Sequence, residues 1–430
     1  MLLTIEKLVY GGDGLARLPA DEEGRGKAVF VPFVLAGEKI EATLLEQKPG
    51  FVRARAAVVV EPSPQRVPAP CPYFGECGGC HYQHAVYEHQ LEIKAAILKE
   101  NLRRIAKLEL ATELIVHASP PWNYRNRTRV KVQSQPEFAL GYYRVNSHQL
   151  RPIKECPISS PLINRSIAAL WQLNGAIAGG IQEIEFFANA EDTQLLLEVD
   201  CAFGTAQSEA ERIAERVQEL LPNVAGVTVR QAAGKHRTGS EAPSIVVKGA
   251  SELAYHTRHA EYRVSAGSFF QVNRSLIDEL IGIVAGDAGG ELALDLYAGV
   301  GLFSTALSRS FAQVIAVESS QTAHADLVYN APSHVKAVRS MTEQFLRTAA
   351  GSMRPQLVVA DPPRGGLGET VVRTLAGLGA DRIIYVSCDP ATLSRDLAGL
   401  LQAGYHIRHA HLVDLFPQTY HVESVLHLDR

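Results

Sequence analysis

The chain has 430 residues, 46% of them hydrophobic and 20% charged, with a net charge of −4. That length suits about three domains, the composition excludes wholesale disorder, and the acidic balance excludes a uniformly basic nucleic-acid binder, so any nucleic acid must meet a local patch. No stretch approaches the roughly 20 apolar residues of a membrane span and the N-terminus lacks a signal pattern, which predicts a cytoplasmic protein with no membrane partner.

Short β-rich runs at residues 5–9, 28–34, 39–45 and 51–60 are punctuated by Gly11-Gly12-Asp13-Gly14, Ala36-Gly37-Glu38 and Lys48-Pro49-Gly50. They predict a small OB-like β-barrel over residues 1–62. Five-stranded barrels of this kind often bind oligonucleotides. Lys7, Arg17, Lys27, Lys39, Lys48, Arg53 and Arg55 are available for phosphates, and acids such as Glu6, Glu38 and Glu46 balance them.

A connector containing Pro62, Pro64, Pro68, Pro70 and Pro72 runs into Cys71-x5-Cys77-Gly78-Gly79-Cys80. Six cysteines are too few for a disulfide scaffold in so long a chain, and clustered ones suggest metal or catalysis. Glycines between them let the backbone wrap closely, as metal ligation requires. A four-thiolate site needs one more ligand, and Cys156 in Glu155-Cys156-Pro157-Ile158 is the best candidate. Cys201 reads as core, and Cys388 belongs elsewhere. Structural zinc and a [4Fe–4S] cluster both suit four thiolates. Zinc usually takes two Cys-x2-Cys pairs and only one is present, but spacing alone leaves the metal open.

Leu91, Ala95, Leu98, Leu102 and Ile105 fall at helical spacing and predict an amphipathic helix within residues 84–108. The next stretch is the most basic in the chain, with Arg125, Arg127, Arg129, Lys131, Arg144, Arg151 and Lys154 interleaved with Trp122, Tyr124, Tyr142 and Tyr143. Arginines that grip phosphates and aromatics that stack bases are what single-stranded RNA requires. Residues 160–262 alternate helix-like and strand-like segments, which suits a compact α+β domain.

Residues 292–303 read as strand, glycine turn Ala298-Gly299-Val300-Gly301, then helix, so backbone can approach a ligand at the helix start. A second strand ends in Glu318, where nucleotide-binding sheets hydrogen-bond a ribose. Ser304 stands where a dinucleotide fingerprint would have its third glycine, so the match is better to S-adenosylmethionine binding than to NAD. Asp361-Pro362-Pro363-Arg364 ends another strand. Ser387-Cys388-Asp389-Pro390 ends the next apolar run, and His421-Val422-Glu423-Ser424 lies on a strand after it. In open α/β sheets, chemistry collects at those carboxyl ends. A cysteine there answers one chemical need: C5 of a uracil has no lone pair. A thiolate added at C6 makes C5 nucleophilic, and a base such as Glu423 must then remove the C5 proton. A methyltransferase acting on an exocyclic amine would leave Cys388 without a purpose.

Taken together, these motifs resemble the bacterial RNA (uracil-C5)-methyltransferase family, in its iron–sulfur, TRAM-domain branch that modifies 23S ribosomal RNA. The resemblance covers essentially the whole chain. It implies a multidomain α/β protein: a TRAM barrel (1–62), a central α+β domain with the cysteine site (63–83 and 119–262), and a Rossmann-like methyltransferase domain (84–118 and 263–430). It implies Cys388 as nucleophile, Glu423 as base, and Gln271, Tyr297, Glu318 and Asp361 as holders of S-adenosylmethionine. It also implies Cys71, Cys77, Cys80 and Cys156 as ligands of a [4Fe–4S] cluster, and a monomer acting on 23S rRNA, with the tRNA T-loop as the alternative target. Leu302 departs from relatives that carry a polar cofactor contact there.

Overall fold

The N-terminal segment belongs to two edges of one sheet. Six strands, β1 (Leu2–Thr4), β2 (Lys7–Leu8), β3 (Gly14–Arg17), β4 (Ala28–Val31), β5 (Lys39–Gln47) and β6 (Phe51–Glu61), run in the order β1-β5-β6-β4-β3-β2. β1 pairs with β5 and β2 with β3, so one segment, broken around Ile5 and Glu6, closes the sheet into a barrel. The single strand expected over residues 5–9 is thus interrupted, which lets it serve two partners. Ile5 points inward with Leu3, Val29, Val31, Ile40 and Val52. Arg66 ties the proline connector back, donating to the buried Glu38 carboxylate at 2.8 Å and to the Phe33 carbonyl at 3.0 Å. This computed structural model describes all residues except 20–25, 174–178, 232–243, 350 and 352.

Helix α1 (Tyr87–Ile105) and strand β7 (Leu114–His117) follow. The buried face of α1 is rotated from the expected stripe: Gln90, Ile93, Lys94, Ile97, Leu98 and Leu102 are buried, and Ile105 is 42% exposed. Lys94 explains the rotation. Its ammonium donates to Asp414 at 2.6 Å and to the Phe416 carbonyl at 2.9 Å, so a lysine outside the apolar stripe points inward.

The central unit contains β8 (Arg127–Gln133), β9 (Ala139–Tyr143), β10 (Leu150–Pro152), α2 (Pro161–Leu170), β11 (Ile181–Ala188), β12 (Leu195–Cys201), α3 (Gln207–Leu220), β13 (Val224–Gln231) and β14 (Ser244–Gly249). Its seven-stranded sheet has the order β10-β9-β8-β11-β12-β13-β14. One face buries Val130, Ile184, Phe186, Leu197 and Val199 under the helices. The other carries alternating charges. Arg127 pairs with Glu185 at 3.3 Å, Arg129 with Glu185 and with Glu183 at 3.5 Å, Lys131 with Glu183, and Arg230 with Glu198 at 2.8 Å. In the stretch read as an RNA grip, Arg127, Arg129 and Lys131 are thus matched by acids of β11 that linear sequence does not bring near, and Arg144 and Arg151 meet Glu76. Tyr124 is buried and donates to the Pro417 carbonyl at 3.0 Å, and the Tyr142 hydroxyl bonds Thr128 at 2.8 Å.

A hairpin, β15 (Glu252–His256) with β16 (Glu261–Ser265), leads through α4 (Ile277–Ala285) into the C-terminal unit. There β17 (Gly290–Leu296), α5 (Leu302–Leu307), β18 (Phe311–Glu318), α6 (Gln321–Asn330), β19 (Val335–Arg339), α7 (Thr342–Ala349), β20 (Leu357–Ala360), α8 (Gly368–Leu378), β21 (Arg382–Ser387), α9 (Pro390–Gln402), β22 (His406–Val413) and β23 (Glu423–Asp429) alternate. The eight-stranded sheet has the order β19-β18-β17-β20-β21-β23-β22-β7. β17 to β21 are parallel, β23 runs antiparallel between β21 and β22, and β7 adds to the edge beside β22. Residues of α1 share one core with Leu393, Leu397 and Leu400 of α9. The strand order reverses between β17 and β20, and a ligand crevice opens at the carboxyl ends flanking such a switch point.

Candidate functional site

Acids line that crevice. Asp295 lies at the end of β17, fully buried, with Ser304 Oγ donating to its Oδ2, and its Oδ1 has no partner. Burial, with Glu318 adding repulsion against the Ser304 bond, pushes its carboxyl up to about 7. Glu318 ends β18, accepting from Gly299 N–H at 2.9 Å and Ser320 N–H at 2.6 Å. The chain between them turns sharply: Tyr297 has φ 64° and Gly301 φ 94°, and a Cβ at 301 would sit 2.8 Å from Leu327 Cδ1. The serine read only as a mismatch to a glycine fingerprint is therefore the partner of the buried aspartate. Gln271 is buried in the loop before α4, where its carbonyl accepts from Asn126 at 3.2 Å.

Asp361 follows β20, and burial together with the Asp295 charge pushes its carboxyl up to about 7. Cys388 follows β21, where Asp389 caps α9 by accepting from Ala391 N–H at 3.0 Å and Thr392 N–H at 2.9 Å. Pro390 thus opens a helix as well as ending a strand. In the antiparallel register Ser387 faces Ser424, so the next step out sets Cys388 against Glu423. Burial, then Glu423 and Asp361, push the Cys388 thiol up to about 12, with Arg364 opposing. Burial and Asp361 hold the Glu423 carboxyl well above its ordinary range. Cys388, Glu423, Asp361, Asp295 and Glu318 are thus neighbours in one electrostatic field.

The loop leading to Glu423 is clamped from three sides. Asp414 meets Lys94 and accepts from Tyr87 at 2.8 Å. Gln418 exchanges two 3.0 Å bonds with Gln90, and its carbonyl accepts from His81 and Tyr82 N–H at 2.8 and 3.0 Å. Sequence reasoning missed Lys94, Asp414 and Gln418, since nothing local marks them.

Cys71, Cys77, Cys80 and Cys156 form a separate site. All four line one cavity of about 500 Å³, together with Tyr73, Gln83 and Arg125. Burial raises the thiols of Cys71, Cys77 and Cys80, that of Cys77 to about 11, and the charge of Cys156 raises all three further. Among the described residues no three such side chains are placed as they would be around a single ion.

A switch-point crevice ringed by carboxylates, on this strand order, defines an S-adenosylmethionine-dependent methyltransferase. Residues 86–430 match the family model described as tRNA (Uracil-5-)-methyltransferase, and residues 1–57 match the TRAM domain. The chain belongs to this family of RNA uracil-5-methyltransferases, enzymes that draw their methyl group from S-adenosylmethionine. Among its relatives, an uncharacterized RNA methyltransferase of Aquifex aeolicus is 34% identical over 99% of this chain and 98% of its own length. The 23S rRNA (uracil(1939)-C(5))-methyltransferase RlmD of Pseudomonas fluorescens is 32% identical, over 98% and 90%. The Pyrococcus abyssi tRNA (uracil-54, C5)-methyltransferase, solved in complex with S-adenosyl-L-homocysteine, shares the fold over 100% of both chains, with a TM-score of 0.75 at 23% identity. No helix among the described residues is long and apolar enough to cross a membrane.

Proposed function

We propose that this enzyme methylates C5 of a uridine in 23S ribosomal RNA, with Cys388 bonding C6 and Glu423 removing the C5 proton. The observation that carries the reading is the β21–β23 register, which ends at Ser387 opposite Ser424 and leaves Cys388 and Glu423 one residue beyond it, with the Glu423 charge bearing on the thiol. The thiol proton leaves to solvent, sulfur bonds C6, and the displaced π electrons make C5 nucleophilic. Gln271, Tyr297, Glu318 and Asp361 would hold S-adenosylmethionine, which would supply the electrophilic methyl group and leave as S-adenosylhomocysteine. Glu423 then takes the C5 proton, the freed electron pair restores the C5–C6 double bond, and the Cys388–C6 bond breaks. A uridine within a stem or loop must be unstacked to reach this pocket. The full-length likeness to a 23S rRNA enzyme favours that target over the tRNA T-loop.

The four cysteines would hold a [4Fe–4S] cluster. All four thiols open on one cavity, and zinc usually takes two Cys-x2-Cys pairs where this chain has one. Anaerobically purified protein should be brown, and a colourless, zinc-loaded preparation would refute the assignment.

C388A should abolish transfer and leave S-adenosylmethionine binding intact; retained turnover sinks the covalent mechanism. Mapping of 5-methyluridine in rRNA and tRNA with and without the gene tests the target. Loss confined to the tRNA T-loop would keep the chemistry and replace the substrate.

A further inference from the structure

The barrel reaches into the catalytic loop. Tyr10, half-buried in the turn after β2, donates from its hydroxyl to the Cys388 carbonyl at 3.4 Å. Burial and the neighbouring Asp389 carboxylate keep that hydroxyl protonated. Its ring meets Tyr420 edge-on, with centroids 5.5 Å apart. Tyr420 in turn packs on His421 at 4.4 Å, and Phe416 closes the far side of His421 at 5.4 Å. His421 Nε2 accepts from Arg364 Nη2 at 3.2 Å. Burial, then the Arg364 charge, pushes the imidazole down to about 3, so it stands neutral beside the guanidinium.

Two lines of contact from one tyrosine therefore run to the surroundings of Cys388. The direct line fixes the peptide that carries Cys388. The aromatic line ends at Arg364, the cation that opposes the upward push on the thiol. The charged groups that bear on that thiol are Glu423 from β23, Asp361 after β20 and Arg364 in the following loop, and Arg364 is the positive one among them. Tyr10 meets the Cys388 carbonyl, with Asp389 beside the tyrosine hydroxyl.

We propose that Tyr10 and His421 are positioning residues for Cys388, so that docking of the barrel completes the active site as well as binding RNA. Tyr10 restrains the Cys388 peptide, and His421, as a neutral acceptor, aims the Arg364 guanidinium at the developing thiolate. This rests on Cys388 being the nucleophile.

The test uses the full-length enzyme with 23S RNA isolated from cells lacking it, and iodoacetamide as a thiol probe, with Cys388 labelling read by peptide mass spectrometry across pH. Y10F should lower kcat about tenfold, since small misplacements of a reacting group are costly, with the RNA KM within about twofold. H421L should lower kcat likewise and move Cys388 labelling to higher pH. H421Q, whose carbonyl can accept from Arg364, should restore both. A tyrosine that merely glues the barrel in place would change KM alone. That result overturns the proposal, as do wild-type kcat and labelling profiles in Y10F and H421L. Should Y10F not fold, the H421L and H421Q pair decides. Full turnover in C388A would instead break the underlying catalytic reading.

Discussion

The central sheet and the C-terminal sheet bury the same kinds of residue and treat them in opposite ways. On the central sheet Glu183 and Glu185 meet Arg127, Arg129 and Lys131, and Glu198 meets Arg230, although burial still pushes the Glu198 carboxyl up to about 7. At the C-terminal crevice burial raises Asp295, Asp361 and Glu423, with Glu318 adding to Asp295, Asp295 to Asp361 and Asp361 to Glu423, and Arg364 is the cation that bears on Cys388. Buried charges that are paired make a scaffold. Buried acids left to repel one another store unfavourable energy that only a cation or a proton relieves, and such strained titrations cluster where chemistry happens. A sulfonium cofactor is a cation of the right kind.

Mutations that exchange the two behaviours sharpen this contrast. The largest effect belongs to E423Q. Without a base the C5 proton stays, so turnover should fall by about 10²–10⁴, and a protein–RNA adduct should accumulate on denaturing gels. Absence of any adduct, with turnover lost, would count against Glu423 as the base. E185A should instead act on stability, leaving Arg127 buried without its partner at a cost of about 3 kcal/mol. Denaturant unfolding measures it, and an unchanged midpoint would show that the ladder is not structural.

Asp361 offers a smaller, pH-dependent effect. Its carboxyl sits at about 7 in the fold and at about 3.9 when unfolded. Its protonated form is favoured by folding, so stability present below about pH 4 is lost as pH rises through 7. D361N cannot ionise and escapes the loss. Its Tm advantage over wild type should grow by a few degrees between pH 5 and 7.5 and then level off; a constant offset would contradict the assignment. Least of all should K131A matter. Its ammonium is matched by Glu183, so RNA affinity should change by no more than about 0.5 kcal/mol, the usual range for surface changes away from special features. A marked loss of affinity, with a shallower salt dependence than that of the wild type, would reinstate this strand as a phosphate grip.

Much of the crevice was legible without coordinates, because its parts are local. A β-branched run ending in Ser387-Cys388-Asp389-Pro390, a glycine turn after Asp295 and an acid at Glu318 each follow from the period-two strand pattern and from turn chemistry. Strand ends in an alternating α/β chain converge on one edge whatever the details of packing. The cysteine frame was legible as spacing, and the barrel as short strands between glycine turns.

What tertiary structure alone decided was pairing across the chain. The N-terminal strand serves two edges of the barrel because Ile5 breaks it. Lys94 turns inward because Asp414, from the loop before β23, waits there. Arg129 and Lys131 lose their freedom to Glu183 and Glu185, and Tyr10 finds the carbonyl of Cys388 across two domains. Sequence fixes which groups carry charge and where strands end, since those depend on neighbours within a few residues. Whether a charge is answered or left alone depends on residues far away in the chain, and that is settled only by packing.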